Sequence, residues 1–344
     1  MPKGDVSMET VTPAATESAA VLSLPHLILT ERWSVGGDDT FLGPSCVAPL
    51  DEALVLVVDE CRHSIVIVDE NGAVVRRLGA EGTEPGTFRY PTHAAADGHG
   101  GFWVTDRWNH RVQHLDGSGR VIAAAGSYGT APGEFNEPWG IAVLDDDRLV
   151  VADRSNHRLQ VLSADGAPVS ACGRGGYDQS YYEGSGFKRG CVFQRWSALA
   201  NRFVSHETLF RGQNYSLGTL EFPQGVAVCG DGQVLVADAG IGAMLACDLG
   251  QGRVERLVSS RGVRFVPTNV SSLGDGLFVS VADEGHTACL FDADGAHAFF
   301  NVPGIVHLTA CVPGPGATLW CLDGWNHRLA CYDLEFGPAE GALP

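Results

Sequence analysis

Positive charge is scarce in this 344-residue chain: 23 Lys and Arg stand against 41 Asp and Glu, a formal net charge of −18. Nucleic-acid binding rests on neutralising phosphates with cationic side chains. This balance therefore argues against nucleic acid, and equally against an anionic membrane, as a partner. No apolar run approaches the roughly 18 residues that a spanning helix needs. None of the ten cysteines forms a Cys-x-x-Cys pair, which argues against a structural zinc cluster. The first 25 residues, through Leu24-Pro25, lack the apolar stretch and small-residue cleavage site of an export signal. Residues 1–25 are expected to be a disordered arm, and the protein cytoplasmic, where thiols stay reduced. Most cysteines sit in apolar strand-like runs, as do Cys229, Cys289, Cys321 and Cys331, and read as small core hydrophobes.

What is abundant is glycine, 44 residues, beside an apolar content of 44%. The first implies many tight turns, and the second is enough for a sizeable core. A length that would ordinarily suggest two domains also suits one closed all-β architecture.

A repeat confirms the second option. Asp59-Glu-Cys-Arg-His63, Asp106-Arg-Trp-Asn109-His110-Arg111, Asp153-Arg-Ser-Asn156-His157-Arg158, Asp238-Ala-Gly-Ile, Asp283-Glu-Gly-His and Asp323-Gly-Trp-Asn326-His327-Arg328 align on their aspartates. The spacings are 47, 47, 85, 45 and 40 residues, the 85 being one repeat plus about 40 inserted residues. A proline opens each of the first five units, at Pro44, Pro91, Pro138, Pro223 and Pro267. It is followed by an apolar strand, a polar turn, and a second strand ending on the aspartate. A third strand such as Arg158–Leu162 alternates and is expected to be half-buried. A Gly turn then leads to a fourth strand and a glycine-rich return, Gly79 to Phe88 and Gly126 to Phe135.

Four short antiparallel strands repeated radially describe a β-propeller, here all-β and six-bladed. Its last unit has three strands, and Leu27–Val35 matches a missing fourth. The N-terminal strand is thus expected to close the ring, giving a propeller over 26–337 with an insertion at 177–217 and a tail at 338–344. The motif strings, with the Pro-x-Gly-Ile-Ala-Val and Val-Ala-Asp runs, resemble the NHL-repeat family over roughly residues 27–335 apart from the insertion.

A residue set that recurs in most blades does a per-blade job, so His63, His110, His157 and His327 are read as scaffold. Function is sought where blades differ. Two residues beyond the opening proline the units give Cys46, His93, Gly140, Gly225 and Asn269, facing the narrow axis. Cys46 and His93 suit a nucleophile and base or part of a metal site, or else polar plugs satisfied by water or backbone. The insertion carries many aromatic residues, which argues against disorder, and a cationic balance; a short helix is expected over Arg195–Phe210. It is read as a lid over an anionic or aromatic ligand, or as a decorative subdomain.

The leading reading is a module that binds a small molecule or protein partner on the insertion-bearing face. Trp139, Gln224, Asn269, Tyr181, Tyr182, Arg195, Trp196 and Arg211 are its binding residues. The alternative is a lyase or hydrolase at the channel mouth, using His93, Cys46, Arg107, Arg154 and His206, with a divalent metal possible there. The resemblance includes lyases of peptidyl-α-hydroxyglycine, which hold zinc through histidines directly after the opening proline and use an arginine after the Val-Ala-Asp strand. Arg107 and Arg154 match that arginine by position; Ser45, Thr92, Trp139, Gln224 and Thr268 stand where the histidines would be, with His93 and His307 as nearby substitutes.

Overall fold

The computed structural model describes residues 26–173, 195–197, 202–204, 220–229, 233–249, 253–259, 266–282, 287–292 and 297–337. They build six four-stranded antiparallel sheets. From axis to rim, blade one runs Pro44–Pro49, Leu54–Asp59, Ser64–Asp69 and Val74–Leu78. Blade two is Pro91–Ala96, Gly101–Asp106, Arg111–Asp116 and Val121–Ala125, and blade three Pro138–Val143, Leu149–Asp153, Arg158–Leu162 and Pro168–Gly173. Blade four comprises Pro223–Val228, Gln233–Asp238, Ala243–Asp248 and Arg253–Ser259. Blade five comprises Pro267–Gly274, Leu277–Ala282, Thr287–Asp292 and His297–Asn301. Blade six joins Leu308–Gly314, Thr318–Asp323 and Arg328–Gly337 to His26–Gly36. The six innermost strands touch in a closed circle, blade six against blade one. No helix among the described residues is long and apolar enough to cross a membrane.

The ring closes as expected: His26–Gly36 pairs antiparallel with Arg328–Gly337, from His26 opposite Gly337 to Gly36 opposite Arg328. Trp33 fastens this seam. Its ring meets Trp320 edge-on at 5.6 Å, and its indole N–H donates to the Glu70 carbonyl of blade one at 2.9 Å.

The repeated aspartate explains why one motif recurs. Asp106 accepts the Arg89 N–H at 2.7 Å and Asp153 the Asn136 N–H at 2.8 Å; Asp59, Asp238 and Asp323 accept the equivalent amides in their own blades. Each carboxylate thus ties the end of the second strand to the entry of the first. Asn109 and Arg111 Nε both donate to Asp106 at 2.8 Å, and Arg111 also reaches the Thr83 carbonyl in the return loop from blade one. His63 and His110 adopt left-handed backbone (φ 53° and 54°) and accept the N–H groups of Tyr90 and Glu137 in the next blade through Nδ1. Such a bond needs neutral imidazole. Burial pushes the pKa of both rings down.

Two expectations are corrected. The third strand Arg158–Leu162 is buried at every position rather than alternately, because a blade has a neighbour on each face. The helix over Arg195–Phe210 is not formed at its start: Arg195–Ser197 and Arg202–Val204 pair as a short hairpin with Trp196 opposite Phe203. A seven-residue aromatic spacing fits a helix stripe and a cross-strand pair equally well, and the β-propensity of Trp, Phe and Val favours the latter.

Candidate functional site

The axis is tightest on one side. A Cβ on Gly140 would lie 2.0 Å from the Gln224 carbonyl oxygen, and one on Gly225 would lie 2.6 Å from Asn269 Cα. Neighbouring inner strands there approach backbone to backbone, which only glycine permits. On the other side, hydroxyls stitch the circle: Ser45 donates to the Thr92 carbonyl at 3.0 Å and Thr92 to the Trp139 carbonyl at 2.9 Å.

Cys46, His93 and Asn269 stand at the inner-strand positions that lack glycine, and all three are buried. Neither nitrogen of His93 makes a hydrogen bond of good geometry. Burial pushes its pKa down to about 4, although Asn269 and the Thr92 backbone lie near enough to favour the charged ring. Cys46 is pushed up to about 12 by burial, against the nearby Ala94 backbone. A neutral imidazole and a protonated thiol are not an activated pair at neutral pH.

Above the axis, on the face of the motif turns, four charges alternate across blades one to three. Arg107 lies 3.3 Å from Glu60 and 3.3 Å from Glu137, and Arg154 lies 3.0 Å from the same Glu137 oxygen. Both guanidinium groups stand over the Trp139 ring, at 4.5 and 4.8 Å, and Arg154 also faces Phe222 at 5.3 Å. The four charges cancel, as a buried cluster requires. Their pKa values split. Burial raises the Glu60 carboxyl despite Arg107 and Arg154, whereas Glu137 has burial overcome by both arginines and is held low. Around this mouth the same face exposes Trp108, Tyr128 and Trp325. Trp108 packs on Tyr90 at 4.2 Å, and Trp325 stacks on His307 at 5.1 Å with the planes 1° apart.

The NHL-repeat family model matches residues 88–115 and 135–162, each running from a buried return-loop phenylalanine to the third strand of blades two and three. The chain is a six-bladed propeller with NHL repeats in blades two and three. Three solved structures share its fold. Streptogramin B lyase is 14% identical with a TM-score of 0.56, and covers 92% of this chain and 90% of its own. Virginiamycin B lyase from Staphylococcus aureus, bound to quinupristin, is 12% identical with a TM-score of 0.57 and the same coverage. A gluconolactonase from Xanthomonas campestris is 13% identical with a TM-score of 0.60, covering 90% of this chain and all of its own. At such identities the likeness carries the propeller and nothing of the activity. No curated protein matches this chain in sequence.

The structure separates the sequence-derived residues. Arg107, Arg154 and Trp139 form one cluster at the mouth; His93 and Asn269 lie together on the axis, and Gln224 is buried in the inner strand of blade four. Cys46, expected on the axis, packs instead in the apolar core between blades one and two with Leu56, Ala94 and Phe102. Arg195 and Trp196 lie in the short hairpin, and Tyr181, Tyr182, His206 and Arg211 lie outside the described residues. Glu60 and Glu137 were missed. Glu60 was visible as an exception, an acid at the motif position where blades two and three carry Arg107 and Arg154; Glu137 carried no such signal. Among the described residues no three His, Cys, Asp or Glu side chains gather to hold a metal ion. The positions that would carry zinc histidines hold Ser45 and Thr92, whose hydroxyls are spent on neighbouring strands. The described residues therefore do not fit that metal. A separate groove of about 760 Å³ opens on the opposite face, between Pro49–Leu54 and Pro313–Gly316.

Proposed function

We propose that this propeller is a binding module whose working surface is the motif-turn face around the channel mouth. The observation that carries the reading is the pairing of exposed Trp108 and Trp325 at the same motif position in blades two and six. Exposed aromatics of this kind anchor interfaces, and one blade's width between them suits a protein partner better than a compact small molecule. The net charge of −18 would steer a basic partner toward the protein. The mouth charges favour binding over catalysis, because each arginine already has a carboxylate.

Photo-crosslinking tests this. A crosslinkable aromatic residue replacing Trp108 or Trp325 is expected to capture a partner that the same residue at exposed Ile122, on the rim of blade two, does not. Trp108→Ala combined with Trp325→Ala should abolish the capture. Equal crosslinking from Ile122, or binding unaffected by the double substitution, rejects the reading.

One observation favours an enzyme instead. Glu60 is buried with a raised pKa beside Arg107, an arrangement suited to a general acid. Lactone and streptogramin substrates, suggested by the fold relatives, are the first to assay. Turnover that Glu60→Gln removes, with the fold intact, would replace the binding reading.

A further inference from the structure

All nine described cysteines are free thiols. Two pairs are in side-chain contact, Cys172 with Cys247 between blades three and four and Cys311 with Cys321 within blade six, and only the second pair faces itself across one hairpin. Cys311 on the innermost strand of blade six lies directly opposite Cys321 on the second strand, with Sγ atoms 3.2 Å apart. Opposed residues of antiparallel strands have Cα atoms about 4.5–5.5 Å apart, within the roughly 4.4–6.8 Å that a disulfide spans. Both side chains point into one apolar cluster with Val281, Leu319, Ala330 and Tyr332. Cys331, ten residues further on, belongs to a different cluster with Trp320, so only one partner is available to each thiol on this face.

We propose that Cys311 and Cys321 form a reversible disulfide, a covalent latch on the blade that closes the ring. The oxidant is a low-molecular-weight disulfide. One protein thiolate attacks it, forming a mixed disulfide and releasing one small thiol. The second cysteine then attacks the protein sulfur of that bond and releases the other small thiol. Two protein thiols and one small disulfide thus become one protein disulfide and two small thiols, with two electrons transferred. The bond encloses the turn Gly314–Thr318 and joins the two inner strands on which Arg328–Gly337 and then His26–Gly36 are laid.

Location sets when the latch responds. Both thiols are buried, and burial raises Cys321 first, with Cys311 adding to it, so the closed blade exchanges slowly. Blade six is also the blade whose outer strand comes from the other end of the sequence. Detachment of that strand gives solvent a route to the inner hairpin, so the pair is oxidised when closure is incomplete and held once closure is done.

The test uses the full chain, equilibrated over a series of reduced-to-oxidised glutathione ratios, alkylated under denaturing conditions and peptide-mapped by mass spectrometry. A parallel sample is unfolded and refolded in each buffer, which removes access as a barrier. The expected result is a linked Cys311–Cys321 peptide, two hydrogens lighter than the separate peptides. It should appear rapidly on refolding and slowly in the folded protein. The oxidised form should melt above the reduced form, and this difference should vanish in Cys311→Ser and in Cys321→Ala. Full alkylation of both cysteines after oxidative refolding, or a bond from either to Cys331, overturns the proposal.

Discussion

Protonation of His93 should weaken the folded ring in a way that can be isolated. The imidazole is buried on the axis with its pKa lowered to about 4, against the ordinary histidine value of about 6.5. The unfolded chain therefore binds the proton more readily than the folded one. The stability that His93 contributes is complete above pH 6.5 and is lost as pH falls toward 4. Between pH 7.5 and 5 linkage puts the loss at about 2 kcal/mol, and it approaches about 3 kcal/mol at lower pH. The groups favouring the charged ring are Asn269 and the Thr92 backbone, neither of which carries a charge to offset the burial. Urea denaturation of wild type and His93→Gln at pH 7.5, 6, 5 and 4 measures it, the difference between the curves cancelling the carboxylates common to both. The variant should lose about 2 kcal/mol less than wild type between pH 7.5 and 5. Parallel pH profiles, or a His93 resonance titrating near its ordinary value, would falsify this account.

Glu137→Ala should strip Arg107 and Arg154 of their shared acceptor and cost about 3–5 kcal/mol in denaturant unfolding, as breaking buried ion pairs does. Gly140→Ala forces a methyl against the Gln224 carbonyl and should lower the melting temperature sharply; a variant as stable as wild type would mean the inner strands can part. Trp33→Ala removes the edge contact with Trp320 and the bond to Glu70 and should cost about 3 kcal/mol. Hydrogen exchange should show that loss first in His26–Gly36 and its partner strand.

The ring was legible in the sequence because each blade repeats the same local solution. The aspartates, the left-handed histidines and the axial glycines act within a blade or against the next one, so one period exposes them all. The mouth was only half legible. Arg107 and Arg154 stood out at matching positions, but the carboxylates that neutralise them sit at different offsets, Glu60 after an aspartate and Glu137 before a proline. No spacing rule links such residues; only the curvature of the ring brings them together. The burial of Arg158–Leu162 was misread for a related reason, since alternation within one strand says nothing of a neighbour on its second face.

The pairing of His26–Gly36 with Arg328–Gly337 also sets an order of events. A ribosome delivers the first of these strands long before its partner exists. The earliest segment must therefore stay unpaired while five blades form ahead of it. Closing this loop, which spans most of the chain, is entropically costly. The final annealing step should therefore govern how quickly a newly made ring becomes resistant to proteolysis.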